Sequence, residues 1–171
     1  MLELQGMRLV RRAAPGEPDA RGTEWTVNSL DDQVMLGLVR EMRGLGWLEC
    51  GLRRFEVCET EDAALLMSIE HGWFSLGRWQ VRDAERRRVG TVIGNHLLDD
   101  QRSGFATIRQ ENAGASVIRD RQGRELARLE SEVNGAQTLR FADDLEANPF
   151  LRMVLLAGAV VTLRETTSSS G

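Results

Sequence analysis

The side chains best equipped to bind something are arginines placed in two equivalent turns. Arg86, Arg87 and Arg88 follow Val81-Arg82-Asp83, and Arg121 and Arg124 follow Ile118-Arg119-Asp120. A guanidinium is a planar fork of N–H donors that grips a phosphate bidentately. If the two hairpins are neighbours pointing the same way, these arginines share one rim. Each would then add about 1 kcal/mol of attraction to an anionic membrane surface. The bland alternative is a solvated turn in an arginine-rich chain. All 22 basic residues are arginine, which a GC-rich coding bias explains without appeal to function.

The remaining candidates carry less chemistry. Asp143, Asp144 and Glu146 are packed closely, whereas calcium takes six or more oxygen ligands. Carboxylates just upstream of a helix also suit its positive end. His71 and His96 have no partners at zinc-ligand spacing, and Cys50 and Cys58 do not form a tight pair. No serine sits in a nucleophile motif. Gly44-Leu45-Gly46 lacks the third glycine of a dinucleotide loop. Trp73, Phe74 and Trp79 could stack a ligand or pack a barrel rim. No catalytic constellation emerges, so the chain reads as non-enzymatic and without a cofactor.

The elements that must position these residues read mostly as strands. The 171 residues, 42% hydrophobic and 28% charged, fit one globular domain. A net charge of -4 argues against nucleic acid as a partner. Two cysteines are too few for a disulfide scaffold and point to reduced thiols in the cytoplasm. Met1 to Arg12 lacks the long apolar core of a secretory signal.

Residues 1–23 form a lead-in, with one short strand at Met7–Val10 and then a loop rich in proline, glycine and charge. Strand patterns follow at 24–27, 34–41, 53–59, 64–70, 78–83, 88–93, 104–110, 115–120, 124–130 and 137–142. Breaks recur about every ten residues, as in a sandwich or barrel. The stretch 31–44 also fits an amphipathic helix, but Gly37 favours the strand. In 124–129, Leu126 reads as inward and Arg128 as outward.

A hairpin repeats without a gap. Six residues after Asp83 and Asp120 comes an apolar residue, Val89 or Leu126. A small one follows, Gly90 or Ala127, and then Val92 or Leu129. Aspartate opens such turns because its carboxylate accepts bonds from backbone N–H groups further on. Looser copies run from Val57-Cys58-Glu59 to Leu65 and from Val27-Asn28 to Val34. Together they describe a repeated β-meander.

The chain closes on a helix. Asn148 is a good N-cap and Pro149 suits the first helical position. From Met153 to Leu163 nothing is charged and no polar face exists. A helix apolar all round must be surrounded, by protein or by lipid. A bilayer span needs about 20 apolar residues, and a shorter run reads as a core helix. Residues 166–171 read as a disordered tail.

Hairpins of this kind, then an acidic strand exit, Asn148-Pro149-Phe150 and a wholly apolar helix resemble the tubby-like superfamily. Its scramblase and LURP-one-related branch is the nearer one. The resemblance covers roughly residues 24 to 164, within a barrel domain read as 24–165, and rests on the order of parts. It implies a mainly β fold: a closed antiparallel barrel of about twelve strands around a central C-terminal helix. It implies binding of anionic phospholipid or of a protein partner, with peripheral membrane contact. The alternative it implies is a calcium-dependent scramblase that inserts the helix into the membrane. The spaced aspartates, proline-rich segment and clustered cysteines of scramblases are missing here.

Overall fold

The computed structural model describes residues 5–12, 24–30, 34–43, 53–59, 64–72, 77–112, 114–145 and 148–168. Its strands are β1 (Gly6–Arg12), β2 (Glu24–Asn28), β3 (Met35–Arg43), β4 (Arg53–Cys58), β5 (Leu65–His71) and β6 (Arg78–Asp83). They continue with β7 (Arg88–Ile93), β8 (His96–Asp99), β9 (Gly104–Asn112), β10 (Ala115–Asp120), β11 (Glu125–Ser131) and β12 (Gln137–Phe141), and α1 (Pro149–Ser168) ends the chain. Each strand pairs antiparallel with the next, and β12 pairs with β1 to close a barrel. The expected closed barrel around one helix is therefore the observed fold. β1 lies in the lead-in, yet it is an integral part of the wall. The strand β8 has no counterpart among the strands read from the sequence.

The wall encloses α1. Asn148 caps the helix: its Oδ1 accepts from Phe150 N–H at 3.0 Å and Leu151 N–H at 3.3 Å. Every residue from Arg152 to Val161 is buried, and Leu155, Leu156 and Ala157 are wholly so. The helix runs on to Ser168, taking in 166–168 that the sequence assigns to a tail. No described helix is long and apolar enough to cross a membrane.

Two glycines let the helix approach one side of the wall. A Cβ on Gly90 would come within 2.4 Å of Val154 Cγ2, and one on Gly158 within 3.1 Å of Leu97 Cδ2. On β2, β4 and β6, Trp25, Phe55 and Trp79 fill the lumen, with successive ring centroids 6.0 and 5.5 Å apart. The outer face is charged. Glu24 joins Arg12 and Arg40, Glu70 joins Arg54 and Arg82, and Glu111 joins Arg119 and Arg128. Apolar inside and charged outside is the inverse of a barrel that faces lipid.

The repeated spacing has a structural cause. In hairpins β2–β3, β4–β5, β6–β7, β8–β9 and β10–β11, the register skips one residue of the returning strand. The skipped residues are Leu36, Leu66, Val89, Phe105 and Leu126, each the second residue of its strand. All five pack on the core. A bulge adds a residue and bends the strand. Simple alternation would put Leu126 and Arg128 on one face; the bulge separates them, so Leu126 is buried and Arg128 is half-exposed. The apolar residue six places after Asp83 and Asp120 is this bulge residue, and Phe105 repeats it after Asp99.

Candidate functional site: the turn rim

All five bulged hairpins turn at one end of the barrel. β12 also exits there, so α1 enters from the same end. Three of the turns are described in full and share one set of bonds. Asp83, Asp99 and Asp120 each donate their N–H to the carbonyl four residues on, at 2.9–3.0 Å. Each also accepts on Oδ1 from that residue's N–H at 2.8–2.9 Å. The third residue after each aspartate has a left-handed backbone: Arg86 at φ 63°, Arg102 at φ 64° and Gly123 at φ 85°. The sequence showed two of these turns; the one opened by Asp99 is the third.

The five arginines named from the sequence all lie on this rim, on the first and third of these adjoining turns. Four of them hold the rim together. Arg87 Nε donates to Asp83 Oδ2 at 2.7 Å, and its Nη2 to Glu85 at 2.9 Å. Arg88 donates to the Asp100 carbonyl, which ties the first turn to the second. Arg121 reaches Ser103 Oγ at 3.0 Å and so ties the third turn to the second. Arg124 donates to Asp120 at 3.1 Å and lies 3.8 Å from Asp144. Arg86 and Arg102 are exposed, and neither guanidinium has a hydrogen bond or ion pair among the described residues. Arg102 could have been found from the Asp-x-x-Arg spacing that 99–102 shares with 83–86.

The rim is not a basic field, since Asp83, Glu85, Asp99, Asp100, Asp120, Asp143 and Asp144 sit among the arginines. Burial pushes the Asp120 carboxyl up, but bonds from Arg124 and Gln122 N–H and from the Arg124 guanidinium outweigh this and hold it below its ordinary value. Asp83, Glu85, Asp99 and Asp120 are engaged within their turns, so any anion would be held by direct guanidinium contact. Long-range attraction contributes little.

Asp143 and Asp144 are exposed at the exit of β12, while Glu146 lies outside the described residues. No three histidine, cysteine, aspartate or glutamate side chains gather as a metal site among the described residues. His96 is exposed. His71 packs on Trp79 with centroids 4.8 Å apart, and Trp79 is buried. Cys58 is half-buried and its thiol is pushed up, chiefly by burial. Cys50, Gly44, Gly46, Trp73 and Phe74 lie outside the described residues. At the opposite end, an open groove of about 490 Å³ runs past Ala115, Glu130, Glu132 and Arg140. Glu132 is committed there to Arg8 at 2.6 Å and to Thr138 at 2.7 Å.

No protein family's sequence pattern matches this chain, and no curated protein matches it in sequence. Its structure is similar to the X-ray structure of a protein from Arabidopsis thaliana, AT5G01750. The TM-score is 0.62 at 11% identity, over 95% of this chain and 91% of that one. At that identity the likeness is one of fold.

Proposed function

We propose that this chain is a non-enzymatic tubby-like barrel of the scramblase and LURP-one-related branch that binds anionic phospholipid headgroups at its turn rim. The reading is supported most by one observation: Arg88 and Arg121 stitch three turns together, aligning arginines along one edge. The likeness to the Arabidopsis structure supports the branch through fold alone. A rigid edge lowers the ordering cost of binding, and guanidiniums complement phosphate oxygens. The burial of α1 weighs against a scramblase that inserts this helix, because the helix would have to leave its wall.

The test is co-sedimentation with phosphatidylcholine vesicles, with and without phosphatidylserine. The bound fraction should rise with anionic lipid and fall as salt is raised, since exposed guanidiniums are screened. A bound fraction indifferent to anionic lipid would remove the reading. A protein partner would then be the remaining interaction role.

A further inference from the structure

The rim separates its arginines into two kinds. Arg87, Arg88, Arg121 and Arg124 are engaged with neighbouring groups. Arg86 and Arg102 are exposed, occupy the same place in adjoining turns, and have φ of 63° and 64°. A left-handed backbone disfavours any residue with a Cβ, whereas glycine adopts it freely. In the third turn this place is held by Gly123 with the same pattern of backbone bonds. The turn therefore does not require an arginine. Arg82 does reach Arg86, but through its backbone carbonyl at 2.9 Å, a bond that any residue could accept.

We propose that Arg86 and Arg102 are the two residues of this rim that grip the anionic headgroup, while the other arginines serve as scaffold. Strained backbone is a recurrent property of ligand-gripping positions. Here it falls on the two guanidiniums that have no partner among the described residues. Carboxylates of the same two turns are engaged elsewhere: Asp83 and Glu85 by Arg87, Asp99 by the Ser103 N–H and Asp100 by Gln101. This assignment rests on the headgroup reading above and narrows it to two residues, one of them in the turn that joins the other two.

The experiment compares the full chain with an Arg86→Gly/Arg102→Gly variant in thermal unfolding and in co-sedimentation with phosphatidylserine-containing vesicles. Glycine relieves both backbones, so Tm should rise by about 2–4 °C per site. Affinity for the vesicles should fall about thirtyfold, from two lost headgroup contacts. Because the variant is the more stable protein, its loss of binding is not a loss of folding. Unchanged vesicle affinity would overturn the assignment, and so would a lowered Tm, which would show that the arginines serve the fold. At matched ionic strength, inorganic phosphate at no more than the vesicles' own headgroup concentration should leave the full chain on the vesicles; displacement there would assign the pair to a soluble anion and overturn the lipid role. If the full chain binds neither vesicle, the headgroup reading itself falls. If the full chain binds and the variant binds equally, only this assignment falls.

Discussion

The two ends of the barrel are closed by different means. Where α1 enters, five bulges bring Leu36, Leu66, Val89, Phe105 and Leu126 onto the core. Where α1 leaves, closure comes from large side chains, with Phe55 between Trp25 and Trp79. Both ends then use an arginine of the helix over an aromatic face. Arg152 lies 5.3 Å from the Phe141 ring centre, and Arg164 lies 5.4 Å from that of Trp79 and 3.9 Å from Glu41. Closing an end with backbone leaves the turn tips free of packing duty. The rim on which Arg86 and Arg102 have no side-chain partner among the described residues is the end that carries the bulges.

The aromatic end should be the more sensitive to truncation. Phe55 is wholly buried, so Phe55→Ala should cost about 3–5 kcal/mol in urea unfolding. At the bulged end, Leu126→Ala should cost about 2–3 kcal/mol, because that closure is shared among five positions. An equal or larger cost at Leu126 would mean that a single bulge governs the rim, and would undo the contrast.

Within the bulged end, the turn aspartates differ in burial. The Asp83 side chain is 3% exposed and that of Asp120 is 15% exposed. Asp83→Ala should cost about 2 kcal/mol, since Arg87 N–H and its guanidinium lose their acceptor. Asp120→Ala should lower Tm by less. A reversed order would show that burial does not set the strength of these turns.

The smallest effect is on acid stability. Hydrogen bonds from Arg128 and Arg119 hold the Glu111 carboxyl low, and those from Thr138 and Arg8 outweigh burial to do the same at Glu132. Asp120 is held low as well. Each folded value lies below the unfolded one, so the stabilisation is complete above about pH 4–5 and is lost as pH falls through the folded values. Thermal unfolding should be flat near neutrality and decline in acid. Asp120→Asn should decline less steeply than the parent chain; an identical decline would deny Asp120 any part in it.

Much of this architecture was legible because it is written in spacing. The helix announced its burial by having no polar face from Met153 to Leu163. Within the ambiguous stretch 31–44, Met35–Arg43 form β3, where Gly37 meets the backbone of β4: a Cβ there would come within 2.0 Å of the Cys58 carbonyl oxygen. The strand β8 was missed because His96–Asp99 is only four residues long, between two turns, and shows no alternation. The repeat Asp83/Asp120 was visible, but its cause was not, since a bulge is a mismatch between two strands and no single strand records it. The arginines of the rim were visible as a group. Their division into those engaged and those without a partner among the described residues was not, because it depends on which partners adjoining turns bring within reach.

The most direct test of the enclosed helix is native-state hydrogen exchange across α1. The amides of residues 153–163 should be among the slowest in the chain, exchanging only with global unfolding. Exchange of those amides by local opening, well ahead of β6, β7 and β8, would place the helix outside the wall and contradict the barrel as described.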